Sequence, residues 1–279
     1  MPTMLQQKPF YKLKIEQDDM PINPRKDYDN FGHMICWHNR YSLGDEHDFD
    51  EPKELLKQMI RDTLTADEVI AYIKKANLDD LRLVYSRSDR EWQLQDEYNG
   101  KWFTEYTFFP GTLKGSDMVK ECVLEFLPMN ALKELADRKN VILPLYLYDH
   151  SGITMSCDLT YPYNDRWDSG QVGWIYANYD EIKKEYGKLN QENIDKAESI
   201  LRGEVKTYDH YICGDCYCYV IEENGQEIEN LGGFLGDLDD VKKDMLSYVS
   251  EEHKHLFDHI GYGCWEYSEG EDEEDEYDM

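Results

Sequence analysis

The chain has no apolar run approaching membrane-spanning length, and its first residues, MPTMLQQKPFYKLK, carry no apolar core of the secretory type. No membrane association and no export are therefore expected. It is also short of cations: 30 Lys and Arg stand against 59 Asp and Glu, a formal net charge of −29. Direct binding to nucleic acid is disfavoured, because such binding runs on Lys and Arg displacing counterions. There is no G-x-x-x-x-G-K-[ST] loop, no G-x-G-x-x-G turn after a strand and no G-x-S-x-G elbow. Those absences lower the expectation of phosphate, dinucleotide or acyl chemistry, and no cofactor is expected. The seven cysteines are odd in number and read as free thiols of a reducing cytosol.

What remains is ample for a folded protein. The 279 residues are 41% hydrophobic and 13% aromatic, enough for one large core or two smaller ones. Tyrosine, with an apolar body and a polar tip, occurs 22 times and suits half-wet sheets and binding surfaces. The acid is uneven: residues 201–279 hold 23 acids and 5 bases, a net of −18, against −11 for residues 1–200. A charge-based function is expected in the C-terminal part, with a basic surface as its partner.

Alternation and turn chemistry predict two strand meanders. The first has strands at 81–86, 91–98 and 101–109, with Asn99-Gly100 as a hairpin turn. The second has strands at 207–213, 216–223 and 226–234, with Asn224-Gly225 as its turn. Further strands are expected at 10–17, 32–38 and 140–150. Leu55, Leu56, Met59 and Ile60 mark one helix, and Thr65 with Glu68 forms a capping box that opens the next. Helices are also expected from Asp117 and at 131–139, 179–187, 191–202 and 238–249. Neighbouring strands rather than βαβ units predict an α+β fold, mainly antiparallel sheets with flanking helices. The expected division is a domain over 1–140, a second over 141–265 and a disordered acidic tail over 266–279.

Four constellations could carry chemistry. Cys213-x-x-Cys216-x-Cys218, with His210 and Cys264 nearby in pattern, has zinc-like spacing, although a buried thiol cluster at a hairpin is the plainer reading. His33, Cys36 and His38 cannot share one face of a strand, and His253, His255 and His259 lack the carboxylate of an H-E-x-x-H helix. A solvated helix end is expected for that second set. Asp149, His150 and Ser151 offer an acid, a base and a nucleophile, but strand neighbours point apart, so the string is a loop candidate and not a triad. Last is the acidic surface: Glu222, Glu223, Glu227 and Glu229 on the second meander, then Asp237, Asp239, Asp240 and Asp244. On a regular strand Glu227 and Glu229 share a face, as substitutes for successive phosphates would need.

Two stretches, DYDNFGHMICWHNRYSLGD (27–45) and PLYLYDHSGITMS (144–156) with WDSGQVGWIY (167–176), resemble a largely uncharacterised family of proteins encoded by bacteriophages and mobile elements. The resemblance supplies no catalytic residues. It implies a host-cell cytoplasmic setting and an accessory phage function. Within these blocks Asp149, His150, Ser151, Gly152, Trp167, Asp168, Ser169 and Gly170 form a motif loop. Gly44 and Gly173 are expected at turns or close approaches, and Trp37, Trp167 and Trp174 as anchors.

The expectation is a binding protein. It would inhibit a host nucleic-acid-directed defence complex, such as a restriction, CRISPR or Gabija nuclease, by presenting acid to a basic cleft as a DNA mimic does. Self-association into a homo-oligomer is left open. The alternatives are an enzyme acting on a small molecule or nucleotide around Asp149, His150 and Asp168, and a structural or assembly protein of a phage particle.

Overall fold

Named local signals set most of the element boundaries. The structure is a computed structural model that describes residues 9–76, 78–158, 168–261 and 263–269. In chain order the first elements are β1 (Tyr11–Gln17), α1 (Pro24–Asp27), β2 (His33–Cys36), α2 (Pro52–Thr63) and α3 (Ala66–Lys75). Next come β3 (Leu81–Ser86), β4 (Glu91–Tyr98), β5 (Lys101–Phe108), α4 (Asp117–Phe126) and α5 (Met129–Ala136). Then follow β6 (Asn140–Asp149), β7 (Ile153–Ser156), β8 (Ser169–Asn178), α6 (Tyr179–Tyr186) and α7 (Gln191–Cys213). The last are β9 (Cys216–Glu223), β10 (Gln226–Leu235), α8 (Leu238–Met245) and β11 (Glu266–Ser268). The fold is α+β with mostly antiparallel sheets. No helix among the described residues is long and apolar enough to cross a membrane.

The chain divides into two compact units. Unit one comprises residues 1–30, 145–171 and 202–279, and unit two comprises 31–144 and 172–201. Each unit is discontinuous, whereas the sequence suggests a single cut near residue 140.

Unit two is built on the sheet β3-β4-β5. Its inward rows include Leu83 opposite Leu94 and Leu94 opposite Tyr106. The apolar stripes of α2 to α5, among them Leu56, Ile60, Val69, Val123, Leu124 and Leu132, complete one core with Leu81, Leu94 and Phe108. The Thr65–Glu68 capping box forms as expected. A buried lysine closes the end of α2: Lys120 Nζ donates to the carbonyls of Leu64 at 2.7 Å and Arg61 at 3.1 Å. A cation placed there satisfies orphan carbonyls and meets the negative end of the helix.

A second sheet has the order β2-β8-β6-β7. Within it Met34 lies opposite Ile175, and Cys36 opposite Gly173. A Cβ on Gly173 would overlap the Ile35 carbonyl, and one on Gly44 would overlap the Met34 carbonyl, so both glycines mark close backbone approach as expected. Asp45 fastens the same corner: its carboxylate accepts the Met34 N–H at 2.7 Å, and its own N–H donates to the Met34 carbonyl at 2.7 Å. Trp37 meets Trp174 edge-on at 6.0 Å. Trp167 lies outside the described residues.

Unit one is built on the sheet β10-β9-β1-β11. Leu13, Ile15, Tyr219, Ile221 and Phe234 pack against Val241 and Met245 of α8 and against Val249, Leu256, Phe257 and Ile260. Two sequence expectations fail here. Residues 207–213 are not a strand but the end of the 23-residue helix α7. The buried residues Ala197, Leu201, Val205 and Tyr208 recur at helical spacing, and that stripe outweighs the β-favouring aromatic composition of the segment. The second meander is therefore a hairpin, β9–β10. The strand that joins it is β1, which pairs with β9 from Tyr11 opposite Glu223 to Gln17 opposite Tyr217. Nor are residues 266–268 tail: they form β11, paired to Lys12–Lys14 of β1. Residues 270–279 lie outside the described ones.

Two glycine substitutions test this architecture with opposite signs. Gly203 is an exposed position inside α7 with nothing within 4 Å of an added Cβ. Gly203→Ala is expected to raise unfolding free energy by about 0.5–1 kcal/mol. Gly173→Ala is expected to lower it by on the order of 3 kcal/mol, because backbone must move. Chemical denaturation of both variants reads the difference. A loss for Gly203→Ala would contradict a continuous α7.

Candidate functional site

The acidic residues singled out by sequence divide into those satisfied internally and those presented outward. The edge strand β10 carries a β-bulge: Glu227 lies opposite Glu222, but Glu229 lies opposite Ile221. Cross-strand partners share a face, so Glu227 points with Glu222 while Glu229 turns to the core side. The expectation that Glu227 and Glu229 form a ladder on one face is thereby overturned. Glu229 accepts from His253 Nδ1 at 2.6 Å, with Ser250 Oγ on the same oxygen. Burial alone would raise its carboxyl, but the hydrogen bonds from Ser250 and His253 outweigh it and hold the group below the usual glutamate range. His253 itself is buried, not part of a solvated helix end. Glu222 is also engaged, accepting from Lys14 Nζ at 2.7 Å, and Glu223 accepts from the Tyr11 hydroxyl at 3.3 Å.

The aspartates around α8 differ. Asp237 sits at the N-cap position without making a side-chain cap, and Asp239 and Asp240 occupy the first turn. Asp237, Asp239, Asp240 and Asp244 are all exposed, and only Asp240 has an ion-pair partner among the described residues, Lys243 at 3.0 Å. Asp237 and Asp239 line a cavity of about 570 Å³ with Asp215, Tyr217, Leu238, Gly263 and Trp265. The Tyr217 and Trp265 rings lie 5.4 Å apart. Burial, followed by the charges of Asp215 and Asp237, pushes the Tyr217 hydroxyl above its ordinary value. The sequence reading missed Asp215, Tyr217 and Trp265. No local pattern marks them: Tyr217 stands between Cys216 and Cys218, and Trp265 between Cys264 and Glu266.

In the motif loop the structure joins residues 18 positions apart. The β6–β7 turn places Ser151 at φ 62°, with Gly152 next to it. His150 N–H donates to the Gly152 carbonyl at 3.0 Å, and Asp149 N–H donates to the Asp168 carbonyl at 2.7 Å. His150 Nδ1 lies 2.9 Å from Asp168 Oδ2. A carboxylate only accepts, so Nδ1 carries the proton and Nε2 is the basic nitrogen. The His150 side chain is 62% exposed, and its ring stacks against Tyr148. Ser169 and Gly170 open β8, half-buried.

The cysteine cluster does not assemble. Cys213, at the end of α7, donates to the Ile153 carbonyl at 3.1 Å and contacts Asp209 at 3.4 Å. Cys216 and Cys218 lie on β9, with Asp18 beside them. No three His, Cys, Asp or Glu side chains among the described residues converge to hold a metal ion. The histidines of the other constellations are likewise dispersed. His33 pairs with Glu181 at 2.8 Å, His255 with Glu269 at 2.8 Å, and His259 stacks on Tyr267 at 3.8 Å. His38 Nδ1 accepts the N–H groups of Arg40 and Tyr41.

Comparison of the chain with protein-family models, with curated proteins and with solved structures returned no match.

Burial, then the Asp209 carboxylate, pushes the Cys213 thiol up to about 11, and burial with Asp18 does the same for Cys216. Only the thiolate reacts, so Cys213 is expected to alkylate slowly near pH 8 despite its exposure. Mass spectrometry after timed iodoacetamide treatment measures this, and rapid labelling of Cys213 would contradict it. Glu229 gives a pH dependence of definite sign. Its folded value is depressed, so its stabilisation is full above the ordinary glutamate range and lost as pH falls through the folded value. The stability gap between the native chain and Glu229→Gln should thus be widest at neutral pH and close in acid.

Proposed function

We propose that unit one is a recognition module for a basic protein surface, and that the cavity between Trp265, Tyr217 and the start of α8 receives an Arg or Lys side chain. The observation that carries this reading is the convergence of Asp215, Asp237 and Asp239 with two aromatic rings in one cavity. Ring faces attract cations by about 0.5–2 kcal/mol, and neighbouring carboxylates add directed charge. The surrounding excess of acid, net −18 over residues 201–279, speeds encounter with a positive patch. Clefts of nucleic-acid enzymes are the commonest such patches. In the phage setting implied by the motif resemblance, the finer reading is inhibition of a host restriction, CRISPR or Gabija nuclease. Mimicry would then rest on the α8 side of unit one and not on β10.

A second reading, an enzyme acting on a small molecule or nucleotide, is favoured by the His150–Asp168 pair. It ranks lower because so exposed a base keeps its hydration and gains little from its partner.

The test is capture from a nuclease-treated bacterial lysate at about 50 mM and about 500 mM salt. Basic nucleic-acid enzymes should be retained at low salt and released at high salt. The combined Asp237→Asn, Asp239→Asn and Trp265→Ala variant should retain about tenfold less. Recovery of no nucleic-acid enzyme at low salt would count against the proposal, as would undiminished capture by that variant. A His150→Ala variant that abolished function while the cavity variant retained it would favour the enzyme.

A further inference from the structure

A second cavity of unit one opens at the C-terminal end of α8. It measures about 530 Å³, and Tyr28, Thr207, Gly232, Gly233, Asp244 and Tyr248 are among the residues that line it. Asp244 is its only charged lining residue and has no ion-pair partner among the described residues. Tyr248 is exposed and is met edge-on by Phe234 at 5.7 Å. Gly232 and Gly233 fall in the bulge between Leu231 and Phe234, and a Cβ added to Gly233 would meet nothing within 4 Å. No Lys, Arg or His lines this space, so it offers nothing to hold an anion. An acid beside two tyrosines, in a segment of net charge −18, favours a cation instead. The chemistry is that of the cavity at Tyr217 and Trp265.

Helix α8 sets the distance between the two cavities. Asp237 lines the first and Asp244 the second. They lie seven positions apart, at the N-cap and in the last turn of α8. Seven residues of helix rise about 10 Å and return to within about 20° of the same direction, so both positions stand on one flank. Between them the charge is compensated. Lys243, bonded to Asp240 at 3.0 Å, and then the charges of Lys206 and His210 on α7 hold the Asp240 carboxyl below its usual range. The end of α7 thus runs beside this flank, its Thr207 reaching the second cavity and the following Asp215 the first. Asp215 meets His210 at 3.4 Å, which leaves Asp237 and Asp239 to supply charge at that end. Negative charge is available at both ends of α8 and cancelled in the middle.

We propose that unit one holds a helix of its basic partner by two Arg or Lys side chains about 10 Å apart, one in each cavity. The inference rests on the reading of the first cavity as a cation site, and adds to it a second site, a spacing and the partner's secondary structure. The spacing selects the helix. Cations seven positions apart on a helix share a face and stand about 10 Å from each other. Same-face positions of a strand fall about 7 or about 14 Å apart, and neither matches. The stretch of partner between the two cations meets Asp240, which is already paired, and needs no charge there. Two modest sites joined through one rigid helix act as one tighter site, because the second contact forms within the same complex.

The experiment is calorimetric titration of the full chain, at about 50 mM salt, with two alanine-based helical peptides of identical composition. One carries its two arginines seven positions apart, and the other four positions apart, a separation of about 6 Å on the same face. The seven-position peptide should bind about tenfold more tightly. Asp237→Asn alone, and Asp244→Asn combined with Tyr248→Ala, should each bring it down to the level of the four-position peptide. All three side chains are exposed, so circular dichroism should report an unchanged fold. Equal binding of the two peptides overturns the proposal, and if Asp237→Asn still weakens both, the first cavity stands alone as a cation site. A spacing preference that survives Asp244→Asn with Tyr248→Ala overturns it as well, since the second cation then lies elsewhere. If neither peptide binds, this inference and the reading of the first cavity fall together.

Discussion

Strand β1 lies between β9 and β11, hydrogen-bonded to both, and the sheet of unit one closes only through it. Its contacts span the chain: the Tyr11 hydroxyl reaches Glu223 across 212 positions, and Lys14 reaches Glu222 across 208. Leu13 and Ile15 of β1 are buried in the same core as Ile221 and Phe257. Removing β1 would expose that core and leave β9 and β11 without a shared neighbour. Pairing of this kind must meet the loop-closure entropy of nearly the whole chain before it contributes anything, which favours late formation of unit one. It also explains why unit one is discontinuous. Its sheet takes strands from both ends of the sequence, while residues 31–144 and 172–201 build unit two.

The same constraint decides what the sequence can reveal. Local signals translate directly: Thr65 and Glu68 cap α3, and the Asn99-Gly100 and Asn224-Gly225 turns take the positive φ values at both positions that favour Asn-Gly. Non-local facts do not. Nothing in YKLKIEQ says that its neighbours are CYCYVIEE and EYS, because any half-buried strand would share the pattern. The misread segment 207–213 shows the competition plainly. Its tyrosines and isoleucine suit a strand, but Tyr208 continues a helical stripe begun at Ala197, and burial of that stripe prevails. The candidate site divides in the same way. The aspartates of α8 were visible as a run, whereas Asp215, Tyr217 and Trp265 join them only through the folding of three separate segments.

Charge count is a poor guide to charge available. Glu222 and Glu227 face each other across β9 and β10, an arrangement that is unfavourable for like charges. Lys14 relieves it by pairing with Glu222, and Lys12 pairs with Glu266 on the same sheet. Glu229 is turned inward by the bulge and spends its hydrogen bonds on Ser250 and His253. Glu222, Glu229 and Glu266 are thus engaged within the sheet and its core, whereas Glu227 stays exposed.

The acids around α8 carry the opposite consequence. The first turn of a helix favours negative charge, so Asp239 and Asp240 are locally stabilised where they stand. That stabilisation is modest and screened, and Asp215, Asp237 and Asp239 gather like charge at one cavity. A cation seated between them and the Tyr217 and Trp265 rings, as proposed above, would offset that like charge. Because it would bind the folded state alone, its binding free energy would add to the stability of unit one. Recognition and stability would thus be coupled at this cavity, where Asp215 already meets His210 at 3.4 Å and Asp237 and Asp239 are the carboxylates that gain most from a basic partner.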